Sequence, residues 1–153
     1  MDWIREGEVS LPRAPGEPDS LRAWRPWVLE EADGTLRMWY TASDGTTSRI
    51  LTAKRPPGGG WERLGVAIDA GFAGESDSYG AESPCVVKTP GGYLIVYGGF
   101  DGEVGRLHMA TSEDSPSLEL SGDHHAARPR GRGRGQPSLF VDDRRTLSTP
   151  RAW

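Results

Sequence analysis

An all-β fold, namely an incomplete β-propeller of about two to two and a half four-stranded antiparallel blades, is what this sequence predicts. Three observations lead there. The first is an internal repeat: Gly16, Glu17, Asp19, Ser20 and Pro26 recur as Gly74, Glu75, Asp77, Ser78 and Pro84, each 58 residues later, as do Trp3, Arg5 and Gly7 in Trp61, Arg63 and Gly65. Past the prolines one residue drops out, and Tyr40, Asp44-Gly45 and Ala53 recur at a spacing of 57 as Tyr97, Asp101-Gly102 and Ala110. A unit of this size is a supersecondary element that buries its apolar faces only against its neighbours. The second is that the second strand of each unit, LRMWYTA and YLIVYG, is apolar on both faces, as stacked sheets require. A sandwich of two related halves would leave one face of each sheet polar by alternation. The third is the 21 glycines and 12 prolines, which fit many short strands joined by tight turns.

In chain order, Trp3 to Val9 reads as a short strand matching Trp61 to Ile68, so the chain opens on the last strand of a repeat unit. Leu11 to Trp24 is a loop rich in proline and polar residues, and Trp27 to Leu29 a brief first strand. The turn Glu31-Ala32-Asp33-Gly34 leads into Leu36 to Ala42. Asp-Gly turn chemistry in SDGTTS joins this to a third strand over Arg49 to Ala53, and PPGGG leads into a fourth, Trp61 to Ile68. The second unit follows the same plan with Cys85 to Lys88, Tyr93 to Gly98, Arg106 to Thr111 and a weak fourth strand near Leu118 to Leu120. Residues 1–122 form the partial propeller, with repeat units 3–60 and 61–117, and 123–153 an Arg/Gly-rich tail that reads as disordered or truncated. Two and a fraction blades leave open edges prone to self-association.

Charge and composition narrow the partners. The formal net charge of −4 divides into +4 on residues 122–153 and −8 on the repeat body, and so acidic a body argues against nucleic acid. No apolar run approaches the roughly 20 residues that cross a bilayer, and MDWIREGEV is not a secretory leader, so the expected location is cytoplasmic, with no membrane partner. The single cysteine, Cys85, reads as a small buried hydrophobe. No CxxC or HExxH pattern occurs and the histidines lack zinc-type spacing, so neither metal nor cofactor is expected.

Residues recurring at equivalent positions are most simply scaffold, because catalysis needs a given group once. Asp19 and Asp77 then read as turn or capping carboxylates and Arg5 and Arg63 as surface residues. The copies differ just before the recurring proline, where Trp24-Arg25 in one becomes Glu82-Ser83 in the other. In a propeller these loops converge on the mouth of the central channel. An indole platform with a charged pair suits a sugar, and Glu82 beside aromatic surface could be desolvated enough to serve as an acid. A solvated loop carboxylate is the competing reading of Glu82.

The series of a proline-led first strand, DGTLRMWYTASDG, a strand ending in alanine (RILTAK) and a tryptophan-led last strand (WERLG) resembles the blades of five-bladed propeller glycosidases, glycoside hydrolase family 43 and its relatives in families 32, 68 and 130. GAESPCVVKTPGGYLIVYGG is similar to the segment around that family's general acid, a glutamate two residues before a proline at the head of a strand. The resemblance, covering roughly residues 1–120, implies hydrolysis of O-glycosidic bonds, with Glu82 as general acid and Trp24, Arg25, Asp77 and Tyr79 near the sugar. It also shows a departure: Arg25 stands directly before its proline, where the family carries an aspartate, and Asp19 and Asp77 lie too far from theirs to replace it. Such hydrolysis needs two carboxylates. The expectation is therefore a glycoside hydrolase-like propeller acting on or binding a carbohydrate, inactive if isolated from its second carboxylate; the alternative is a non-catalytic carbohydrate-binding or interaction module.

Overall fold

In a computed structural model, residues 2–5, 7–9, 11 and 14–113 are described; the expectations for a strand at Leu118 to Leu120 and for the 123–153 tail concern residues outside them. The described residues form seven strands and no helix: β1 (Arg22–Glu30), β2 (Leu36–Ser43), β3 (Ser48–Arg55), β4 (Glu62–Ile68), β5 (Gly80–Thr89), β6 (Gly92–Phe100) and β7 (Gly105–Glu113). β1 to β4 pair in sequence, all antiparallel, as one meander, and β5 to β7 form a second. A single parallel bridge, Ser48 to Gly80, joins β3 to β5, so the sheet is mixed and unclosed. This is the all-β, incomplete propeller-like arrangement that the sequence predicts.

Turn chemistry sets the hairpins. In the β2–β3 turn Asp44 Oδ1 accepts the backbone N–H groups of Thr46 and Thr47, its Oδ2 accepts Arg49, and Gly45 takes a φ of +99°. The β6–β7 turn repeats this 57 residues on, with Asp101 bonded to Glu103, Val104 and Arg106 and Gly102 also at +99°. Bonds from Thr46 foremost at Asp44, and from Val104 foremost at Asp101, hold both carboxyls well below the usual carboxylate range.

β2 is buried from Met38 to Ser43 because both of its faces are covered. One face places Met38, Tyr40 and Ala42 with Leu11, Leu51 and Ala53. The other places Trp39 and Ile50 against Ala81, Val86, Tyr93, Ile95 and Tyr97, and so packs the first meander onto the second. At that junction Trp39 meets Tyr93 edge to face at 5.0 Å, a geometry that adds about 0.5–1.5 kcal/mol beyond area burial. A polar tie crosses it too: the half-buried Glu31 of the β1–β2 turn accepts Lys88 Nζ and Tyr93 OH, with Arg37 Nε at 3.6 Å.

Several expectations are corrected. Among the described residues of Trp3 to Val9 none lies in a strand or has a ladder partner, and Trp3 and Ile4 are exposed. β1 begins at Arg22 rather than Trp27, because the strand passes Pro26 by a bulge instead of starting after it. Cys85 is exposed, since it lies on the face of β5 that points away from the first meander. β6, expected to be covered on both faces, is buried on alternate residues, with Tyr93, Ile95, Tyr97 and Gly99 facing the first meander. Arg63, read as a surface residue, is largely buried for the reason given below.

Candidate functional site

The heads of β1 and β5 share one unusual backbone feature. Register slips between Trp24 and Trp27 in β1, and between Glu82 and Cys85 in β5. Inside each bulge the residue before proline is left-handed, Arg25 at φ +52° and Ser83 at +57°, and these are the only non-glycine residues with positive φ among those described. Proline offers no N–H to the ladder, which the bulge accommodates, and it pushes the residue before it toward extended geometry, so the left-handed φ belongs to the bulge and runs against proline's own preference. A left-handed non-glycine residue costs roughly 1–2 kcal/mol, so each bulge stores strain at a strand head.

The strain re-aims side chains. Arg25 Nη1 donates to Glu82 Oε2 at 3.1 Å and to Ser83 Oγ at 2.6 Å, so the two strand heads, 57 residues apart at Arg25 and Glu82, touch. Ser83 N–H, released from the ladder, donates to Oγ1 of the fully buried Thr41 on β2 at 2.9 Å, which pins the second bulge to the first meander. The Arg25 and Glu82 side chains are 56% and 36% exposed, so the carboxylate is not in the desolvated setting that the sequence reading allowed for. Exposed pairs of this kind contribute about 0–1 kcal/mol to stability; their value here is in positioning.

Trp24, paired with Thr41 across the β1–β2 ladder, lines two open hollows. One, of about 430 Å³, runs along Leu21, Arg22 and Ala23; the other, of about 250 Å³, is walled by Val9, Leu11, Pro26, Met38 and Tyr40. The structure thus joins Arg25 to Glu82 and sets an indole, one residue from Arg25, beside apolar space. Tyr79 stands at the same end of β5 and is well exposed; its ring packs edge to face on Phe100 at 6.0 Å, with its N–H bonded to the Phe100 carbonyl.

Asp77 occupies a different place. It is buried, accepts Tyr97 OH at 2.9 Å, and lies 3.9 Å from His108 Nδ1, whose ring stacks on Tyr97. Its repeat mate Asp19, with 0% exposure, accepts Tyr40 OH at 3.1 Å and Arg63 Nη2 at 2.7 and 2.8 Å. Both carboxylates therefore anchor the loop before a first strand onto the second strand of its own meander. Burial foremost, opposed by Arg63 and reinforced by the Asp19 charge, pushes the Tyr40 hydroxyl up to about 12. At Gly99 an added Cβ would lie 2.6 Å from both Asp77 and His108, whereas the mate position holds Ala42 and faces Leu51 in place of His108.

Sequence reasoning overlooked Thr41, the bond that Ser83 accepts from Arg25 and the clamp of Arg63 on Asp19. A signal for the anchors was available, because Tyr40 and Tyr97 recur in step with Asp19 and Asp77. The described residues contain no group of three or more His, Cys, Asp or Glu that could hold a metal ion, and no helix long and apolar enough to cross a membrane.

No family model matches the chain, and no curated protein does. Among solved structures, the chain is similar to a "putative glycoside hydrolase" from Parabacteroides distasonis, at 26% identity and a TM-score of 0.52, over 60% of this chain and 30% of that one. The chain thus spans about a third of that protein's length, and over the shared part its fold is glycoside hydrolase-like.

Proposed function

We propose that this chain is part of a glycoside hydrolase-like propeller of the family 43 type, and that the heads of β1 and β5 hold a carbohydrate, with Glu82 as general acid. The observation that carries the reading is the meeting of two strained bulges at the positions where the repeats differ: Arg25 of one head grips Glu82 and Ser83 of the other. A pair of charged groups, each about a third or more exposed, offers both donors and acceptors to sugar hydroxyls. Trp24, beside its apolar hollows, supplies a face for the ring, and Tyr79 with Phe100 a second aromatic surface at the same strand end. As general acid, Glu82 would give its proton to the leaving-group oxygen, and the opposing carboxylate that glycoside hydrolysis requires would come from further blades. The similarity to a glycoside hydrolase supports the class and leaves the sugar open.

A binding-only module is the second reading, favoured by the Arg25 contact: a carboxylate already held by a guanidinium is a hydrogen-bond acceptor first. The same experiment separates the two. Arabinosides, xylosides, fructosides and mannosides are screened for binding by calorimetry and for hydrolysis by product release, with wild type, Glu82→Gln and Arg25→Ala. Hydrolysis lost in Glu82→Gln with binding retained assigns the acid. Binding without turnover in wild type, weakened in both variants, assigns the module. Absence of binding to every class overturns the carbohydrate reading.

A further inference from the structure

Among the described residues the two meanders differ by one strand: β4 covers the outer edge of β3, and no strand covers the outer edge of β7. β3 is buried at Ile50, Leu51 and Ala53, whereas no residue of its repeat mate β7 is buried. β4 also brings a cation. Arg63, opposite Ala53 in the ladder, holds Asp19 at 2.7 and 2.8 Å and Glu17 at 3.2 Å. Asp77, the mate of Asp19, is buried as well, yet its ion-pair contact among the described residues is His108 Nδ1 at 3.9 Å, and no guanidinium meets it there. The position 57 residues after Arg63 holds Leu120, which carries no charge.

The sequence contains another version of β4. Trp3, Arg5 and Gly7 are the mates of Trp61, Arg63 and Gly65. Gly7 already takes the left-handed geometry of its mate, φ +107° against +122° at Gly65 in the irregular part of the β3–β4 ladder. Trp61 packs against the cluster of Tyr40 and Ala53, whereas Trp3 is 91% exposed. The chain also holds this stretch away from its own β7. Glu8, Val9 and Leu11 line the hollow of Met38 and Tyr40, on the face of the first meander turned away from the second.

We infer that the stretch carrying Trp3, Arg5 and Gly7 in a second copy of this chain adds to the outer edge of β7 as β4 adds to β3, and sets its Arg5 on Asp77. Carried over from β3 and β4, the register places Ile4 opposite Thr111, Arg5 opposite Ala110 and Gly7 opposite Met109. Asp77 gains the charge-assisted bonds that its mate already has, and the edge N–H and C=O groups of β7 gain partners. Exchanged reciprocally, the two stretches close a two-fold pair, as swapped elements do. The contact uses a strand edge and one charge, and leaves the covered faces of both meanders as they are. It does not depend on the ligand being a sugar.

Disulfide trapping tests it, with Cys85→Ser as the background. Ile4→Cys in one preparation and Thr111→Cys in another, mixed and oxidised, should give a linked pair of twice the 16.6 kDa of one chain. Residues directly opposite in antiparallel strands have Cα atoms about 4.5–5.5 Å apart, within disulfide reach. Ile4→Cys with Ser112→Cys, one residue out of register, should link at least about tenfold more slowly. Adding Arg5→Glu to the Ile4→Cys chain should also slow linking about tenfold, and Arg5→Lys should slow it less. In the dissociated chain Arg5 is exposed, so these substitutions should leave circular dichroism and single-chain stability unchanged. Light scattering should find wild type at twice the mass of one chain and Arg5→Glu at the mass of one. A wild type of single-chain mass at every concentration, or a mixture that does not link, overturns the inference in favour of another strand on β7. A link found only when one chain carries both cysteines overturns it in favour of the chain's own first residues. Equal linking with and without Arg5→Glu overturns the assignment of Arg5 to Asp77.

Discussion

Replacing Arg63 by methionine removes the cation from a carboxylate with no exposed surface. Asp19 accepts both of its short bonds from Arg63 Nη2, and the Tyr40 hydroxyl at 3.1 Å supplies a further one. Tyr40 alone does not compensate the charge, and breaking one partner of a buried pair costs about 3–5 kcal/mol because the other is left uncompensated. The Arg63 side chain retains 17% exposure, so the lower end applies, about 3 kcal/mol. For a unit of roughly a hundred residues that is a fall in Tm of more than about 10 °C. Urea unfolding followed by circular dichroism reads the change. Adding Asp19→Asn should restore part of it, since the buried charge disappears while Tyr40 keeps an acceptor. Arg5→Met, at the exposed repeat mate, should change stability by less than about 0.5 kcal/mol. A loss below about 1 kcal/mol in Arg63→Met, or a double variant worse than both singles together, would refute the anchor argument.

Other consequences are within reach of the same assays. At Ser83, φ +57° inverts the usual order of substitutions: Ser83→Gly should be more stable than Ser83→Ala by about 1 kcal/mol in urea titration. Thr52 Oγ1 is buried without a hydrogen-bond partner among the described residues, so Thr52→Val should raise stability by about 1 kcal/mol. At Glu31 burial raises the carboxyl pKa, but the Lys88 and Tyr93 bonds and the Lys88 and Arg37 charges outweigh it and hold the group below its ordinary value. Its contribution is therefore present above the ordinary carboxylate range and lost as pH falls through the folded value; Glu31→Gln should flatten the acid limb of the stability profile and leave the neutral limb parallel. Tyr40 should ionise near 12 by ultraviolet absorbance, and its share of stability should decline as pH climbs above the ordinary tyrosine range, a decline that Tyr40→Phe removes.

The strands were legible where two signals agreed. LRMWYTA carries apolar side chains on both faces between two Asp-Gly turns, and β2 forms there with both faces covered. Ends were less legible where proline misled: Pro26 and Pro84 read as strand starts, yet each stands inside a bulge, and the ladder resumes on its far side at Trp24 and Glu82. A sequence gives no account of φ, so the left-handed Arg25 and Ser83, which turn the two heads toward each other, could not be foreseen. The meeting of Arg25 with its mate Ser83, and with Glu82 beside it, was legible from the repeat, because mates in neighbouring blades occupy neighbouring places. The burial of Asp77 was not. Its alternation with Ser76 and Ser78 carries no sign that Tyr97 and His108 close over it, and only the step with Tyr97 hinted at a bond.

The account's central claim is that Trp24, Arg25 and Glu82 form one carbohydrate site spanning two strand heads. A double-mutant cycle on saccharide affinity tests it most directly, using wild type, Arg25→Ala, Glu82→Gln and both together, with calorimetry on the best saccharide of the panel. Because Arg25 Nη1 lies 3.1 Å from Glu82 Oε2, the two losses should be strongly non-additive, with a coupling of about 1 kcal/mol or more. Additive losses, or a saccharide affinity that neither substitution changes, would contradict it.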